Sequence, residues 1–133
     1  MNASASIENR AVTSPGTIDH VLESVRSRIS RLTPAQAQAA WRDGAVVVDI
    51  RPEAQRASEG RLPGSLIIER NVLEWRLDPT SDARLPFADY ELQVIVVCQE
   101  GYASSLAAAS LHDLGVHRAT DVIGGYAALR ELL

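Results

Sequence analysis

The chain holds one thiol, Cys98, and it sits where chemistry is easiest to imagine. In "VIVVCQEGYASSLAAASL", residues 94–111, four apolar residues lead into the cysteine. A short polar stretch with one glycine follows, and then an alanine- and leucine-rich run. The first part reads as a strand buried on both faces and the last as a helix. Cys98 therefore falls at a strand-to-helix junction, where unpaired backbone N–H groups and the positive end of the helix dipole gather. Both favour the thiolate, which is the nucleophilic form. Gly101 lets the backbone curl so that several N–H groups can point inward. It is expected to serve loop geometry, so that its substitution harms activity far more than stability. A lone cysteine at a strand end also describes a small buried hydrophobe, and the residues alone leave both readings open.

Other reactive residues are scattered. His20, His112 and His117 lack metal-ligand spacing with Cys98, so no metal site is expected. A cysteine–histidine protease would need an imidazole partner, which spacing alone does not rule out. The sequence has no Gly-rich phosphate loop, no His-x-x-x-His pair and no Gly-x-Ser-x-Gly elbow. Trp41 and Trp75 read as packing residues. Arg26, Arg28 and Arg31 form a basic cluster whose default reading is a solvated face.

The elements that must position Cys98 follow from periodicity. Residues 1–16 are small and polar, which predicts a flexible tail. Ile18, Val21, Leu22, Val25 and Ile29 recur at helical spacing, giving an amphipathic helix over 17–29. The domain proper is expected over 30–133. Thr33-Pro34 starts a second helix, a capping hydroxyl before a proline at the first helical position. Strands are predicted at 45–49, 65–69, 92–98 and, more weakly, 120–125. Helices between them are predicted at 52–59, 71–77, 102–114 and 126–132. Strands alternating with helices imply a parallel sheet covered on both faces. In such sheets ligands bind beyond the carboxyl ends of the strands, which is where Cys98 lies.

Composition narrows the partners. The 133 residues suffice for one domain with a real core, and the apolar fraction of 46% is globular. A net charge of −4 argues against nucleic acid and anionic membrane surfaces as partners. All 13 basic residues are arginine, a composition bias that also suits anion recognition. No apolar run reaches membrane-spanning length and no leader sequence is evident. A single cysteine cannot close an internal disulfide, which fits a reducing, cytoplasmic setting.

Four segments together resemble the rhodanese (sulfurtransferase) family. Cys98-Gln99-Glu100-Gly101-Tyr102-Ala103, followed by Ser104-Ser105, resembles its active-site loop. Asp49 and Arg51 match its Asp-x-Arg segment. Gly60, Pro63, Gly64 and Ser65 match its Gly-His-x-Pro-Gly-Ala segment, with Arg61 in the place of the histidine. "DVIGGYAAL" resembles the Gly-Gly before the last helix. The resemblance spans roughly residues 30–133 in order. It implies an α/β fold of three layers, α/β/α, around a central, mostly parallel sheet of about five strands. It further implies sulfur transfer through a persulfide on Cys98, with no other cofactor. The backbone N–H groups of Gln99, Glu100, Gly101, Tyr102, Ala103 and Ser104 would hold the anionic sulfur. Arg51 is a candidate for an anion contact or for bracing the loop, Asp49 for bracing, and Arg61 for the turn. Arg56, Arg70 and Arg76 are weaker candidates.

The expected partners are a small sulfur donor and a thiophilic acceptor (cyanide, a thiol or an acceptor protein), with the chain a monomer or homodimer. Many family members carry a cation inside the loop, whereas Glu100 here places a carboxylate. A sulfur-carrying, sensing or binding module on the same fold is therefore the alternative. A phosphatase of related fold would need arginine six residues after the cysteine, and that position is Ser104.

Overall fold

A computed structural model describes residues 15–133; the expected tail, apart from Pro15 and Gly16, lies outside the described residues. The first helix, α1 (Ile18–Arg26), is capped by the Thr17 hydroxyl, which accepts from the His20 N–H. Helix α2 (Pro34–Arg42) opens on a full capping box, in which Thr33 and Gln36 satisfy each other's backbone N–H groups. Strand β1 (Val46–Asp49) follows, then α3 (Glu53–Glu59), β2 (Leu66–Ile67) and α4 (Leu73–Leu77). Strand β3 (Val94–Val97) leads into α5 (Ala103–Asp113). The chain ends through β4 (Thr120–Asp121) and α6 (Gly125–Leu129), with a final 3-10 turn over Arg130–Leu132.

The sheet is wholly parallel in the order β2-β1-β3-β4. It has four strands where about five were expected. The fifth place is occupied by one residue, Leu32, which bridges to Val122. Its N–H donates to Asp121 O at 3.0 Å and its carbonyl accepts from Ile123 N at 2.8 Å. The bridge cannot lengthen because Thr33 already caps α2 and Pro34 has no N–H to donate. Likewise, the strand expected over 120–125 stops at Asp121, because Gly124 and Gly125 turn at φ of 82° and 61°.

Strand parity divides the core. Val94, Val96 and Cys98 face one side with Leu73 and Leu77 of α4 and Ala107 and Leu111 of α5. Ile95 and Val97 face the other side with Ala37 of α2 and Tyr126 and Leu129 of α6. Side chains that alternate between two apolar layers explain why "VIVV" shows no polar alternation at all. Helix α1 packs on α5. Trp41 packs against the second core cluster, but Trp75 is 60% exposed and is not a core residue. Among the described residues no helix is long and apolar enough to cross a membrane.

The loop after β3 and the turn after β4 meet through glycine. Gly101 sits at φ +85°, and a Cβ there would lie 2.9 Å from both Val122 O and Gly124 N. Gly125 at φ +61° is tighter still, since its Cβ would lie 2.5 Å from Gly101 N and 2.6 Å from Cys98 O. These obstacles are backbone atoms and cannot rotate aside. Gly101 is thus a folding constraint as well as a loop device, which corrects the expectation that its substitution spares stability. Gly44 offers a control, with φ +106° and nothing within 4 Å of its Cβ position. Gly44→Ala should cost only the backbone term, about 1–2 kcal/mol. Gly101→Ala and Gly125→Ala should each cost clearly more in urea unfolding. Equal losses at the three positions would show that the close crossing carries no energy.

Candidate active site

Cys98 Sγ lies at the base of the loop between β3 and α5. Two backbone groups donate to it, Gly101 N at 3.2 Å and Ser104 N at 3.3 Å. The thiol in turn donates to Ser104 Oγ at 3.2 Å, and Ser104 Oγ donates to Asp121 Oδ2 at 2.7 Å. Of the six cradle positions expected from sequence, Gly101 and Ser104 are therefore the ones whose N–H groups already reach the sulfur.

The loop carbonyls orient two further N–H groups of the loop, those of Gln99 and Glu100. Cys98 O accepts from Tyr126 N at 2.8 Å, and Gln99 O accepts from Ala127 N at 3.0 Å. Both donors are free N–H groups of the first turn of α6. Because C=O and the following N–H point in opposite directions across a trans peptide, each carbonyl held outward sends the next N–H the other way.

Arg51 braces this loop and does not reach the opening. It is 1% exposed and pairs with Asp49, itself fully buried, with Nη2 2.9 Å from Oδ2. Nη1 donates to Gln99 Oε1 at 3.0 Å, and Nη2 donates also to Gly60 O at 2.8 Å. The guanidinium also stacks on Tyr126, 3.9 Å from the ring centroid. With every side so occupied, Arg51 ties β1, the α3 terminus, α6 and the cysteine loop together. Of the two roles kept open for it, bracing is the one this geometry suits, and Asp49 shares it. Arg61 is exposed and bonded to Glu53. The guanidinium groups of Arg61 and Arg56 hold the Glu53 carboxyl down to about 2. Arg56 also donates to the Arg51 carbonyl, Arg70 pairs with Glu74, and Arg76 bonds to Ala83 O.

The opening above the sulfur is an open depression of about 460 Å³, lined by Gln55, Glu59, Gln99, Glu100, Tyr102 and Ala103 beside Cys98. Its charged side chains are both carboxylates, and no histidine borders it. Sequence reasoning missed three residues that the loop depends on. Asp121 is fully buried and accepts from Ser104, Ser105 and Arg31. Arg26 and Arg31 both donate to Gly101 O, at 2.7 and 2.9 Å. Of the basic cluster read as a solvated face, Arg28 alone fits, in an exposed pair with Asp113. An aspartate within the segment expected as the last strand was the available signal for Asp121; the arginines carried none.

Comparison with known proteins agrees with this arrangement. A model of the rhodanese-like domain matches residues 33–132. Thiosulfate sulfurtransferase GlpE of Pseudomonas fluorescens Pf-5 is 34% identical over 105 residues, covering 79% of this chain and 88% of the relative. The protein of the same name from Pseudomonas savastanoi is 32% identical over 100 residues, covering 75% and 86%. Among solved structures, a Rhodopseudomonas palustris protein of unknown function, described as a possible tyrosine phosphatase, superposes with a TM-score of 0.80 at 31% identity. That match covers 91% of this chain and 94% of the other. A human single-domain sulfurtransferase gives 0.63 at 23% identity, over 76% and 95%, which speaks for the fold. From the capping box of α2 to the final turn, with the lone cysteine between β3 and α5, this chain belongs to the rhodanese-like domain family.

Proposed function

We propose that the chain is a sulfurtransferase that carries sulfane sulfur as a persulfide on Cys98. The observation that carries this reading is a thiol at the base of an open pocket with two backbone N–H groups donating to its sulfur. The Cys98 thiolate attacks the outer sulfur of a donor; a new S–S bond forms, the donor's own bond to that sulfur breaks, and the leaving group departs with the electron pair. A nucleophilic acceptor, cyanide or a thiolate, then attacks the outer sulfur and returns Cys98 as thiolate. The backbone donors stabilise negative charge on sulfur at both stages. Ser104 assists: once Cys98 is deprotonated, its hydroxyl can turn from Asp121 to donate to the sulfur. Asp121 keeps Ser105 and Arg31 as donors when that happens. The names of the Pseudomonas relatives support this reaction class.

The phosphatase description of the Rhodopseudomonas protein fits this chain poorly. Phosphoryl transfer on a cysteine loop calls for a guanidinium facing the transferred group, and the opening here holds none. A carrier or binding module stays as the second reading because the opening offers carboxylates and no cation.

Mass spectrometry of the intact chain after exposure to sulfur donors tests the proposal. A gain of one sulfur atom, mapped to Cys98 and discharged by cyanide or a thiol, is the expected result. Cys98→Ser should abolish transfer and leave the unfolding midpoint nearly unchanged. A serine variant that still transfers sulfur at a substantial rate would refute the mechanism. A persulfide that forms but does not turn over would favour the carrier.

Donor preference follows from the exposed Glu100 at the opening. Thiosulfate is a dianion, and a carboxylate a few ångströms away should slow its reaction about three- to tenfold at low salt. Glu100→Gln should raise thiosulfate turnover by that factor and leave a neutral donor nearly indifferent. An unchanged thiosulfate rate at low ionic strength would show that the carboxylate is fully screened.

A further inference from the structure

Arg26 and Arg31 reach the cysteine loop from outside the region that matches the family, which begins at residue 33. Arg26, the last residue of α1, donates through Nη2 to Gly101 O at 2.7 Å and through Nε to Ser105 Oγ at 3.0 Å. Its guanidinium lies 5.5 Å from the centroid of Tyr102. Arg31 donates to the same carbonyl at 2.9 Å and forks onto Asp121, with contacts of 2.8 and 3.2 Å. Two guanidinium groups thus converge on one peptide oxygen. One carboxylate, Asp121, stands against them, and it is buried. A net positive charge therefore remains behind the loop. Neither arginine borders the opening, where Glu59 and Glu100 lie, and Arg51 is neutralised by Asp49.

We propose that Arg26 and Arg31 are positioning residues that hold the Gly101 carbonyl outward and supply, from behind, the positive charge that the loop itself lacks. Holding Gly101 O toward the arginines turns the Tyr102 N–H away from them, toward the concave side of the loop. Gly101 N–H, on the other flank of the same residue, already donates to Cys98 Sγ. One clamped glycine thus orients a donor for the sulfur and a second for whatever group is attached to it. The charge favours thiolate and any anion formed on it, and it acts through protein more than through water. The role in turnover rests on the sulfurtransferase reading; the role in thiol reactivity does not.

Alkylation of Cys98 in the full chain, at neutral pH and low ionic strength, separates the two. Iodoacetamide reports thiolate reactivity, and the rate ratio of iodoacetate to iodoacetamide reports the local charge. Arg26→Met should slow iodoacetamide about tenfold, the scale of one charge-assisted hydrogen bond, and should lower the ratio further. Arg26→Lys keeps the charge but cannot span Gly101 and Ser105 together, so its ratio should stay near the parent's while its rate falls. Arg28→Met removes the same charge from an exposed pair and should leave both rates within about twofold. Parent-like rates in Arg26→Met, or equal slowing in Arg28→Met, would overturn the proposal. If Arg26→Met does not fold, Arg26→Lys decides alone, since a collapsed ratio there would reduce the arginine to packing. Arg26-dependent alkylation in a chain that takes up no sulfur would uphold the clamp and sink the transferase reading.

Discussion

A loop can aim several N–H groups at one atom only if its carbonyls find partners on the other side, because each trans peptide points the two groups in opposite directions. Three carbonyls of the cysteine loop are held outward in this way, which turns the N–H groups of Gln99, Glu100 and Tyr102 to the other side, beside the Gly101 and Ser104 N–H groups that reach the sulfur. The first turn of α6 receives the Cys98 and Gln99 carbonyls, and Arg26 and Arg31 receive that of Gly101. The requirement also explains the glycines. The α6 turn must approach the loop backbone closely enough to donate to it, and at Gly125 there is no room for a Cβ. Helix α6 and the cysteine loop are one unit joined across the end of the sheet.

The second support is electrostatic and lies on the opposite flank. Asp49 and Arg51 form a buried ion pair, and such pairs rarely add much net stability. What this pair contributes is connectivity: one guanidinium contacts Asp49, Gln99, Gly60 and the Tyr126 ring. Asp121 does the same beneath the other flank, receiving Ser104, Ser105 and Arg31. The loop is thus suspended between two buried carboxylates, each satisfied by an arginine and each placed at or near a strand's carboxyl end.

The layered parallel fold was legible because apolar runs and capping residues are local signals. "AVVVD" and "VIVVC" could be little else than buried strands, and Thr33-Pro34 could only begin a helix there. The fifth strand was not legible as a single bridge, since its length depends on how soon α2 starts beside it. Cys98 and Gly101 were visible for the same local reason. Arg26 and Arg31 were not, because charge clusters look alike whether they face water or a carbonyl 70 or more residues away in sequence. Arg51 was visible only as a residue with two roles, and the choice between them depended on Gln99 and Tyr126, both distant in sequence. Tertiary hydrogen bonding is the part of the site that residue patterns do not encode.

Cys98 is the sole thiol of the chain, and it lies largely buried in its loop. Enzymes with a second cysteine nearby can resolve an oxidised or sulfur-loaded thiol internally as a disulfide. This chain has no such internal exit. Whatever becomes attached to Cys98 can leave only by bimolecular attack through the opening between Glu59, Glu100 and Tyr102. On the proposed sulfurtransferase reading, the lifetime of a loaded Cys98 would be set by the concentration and shape of an outside nucleophile, with the protein's own residues a holding device and the timing of release left to its surroundings.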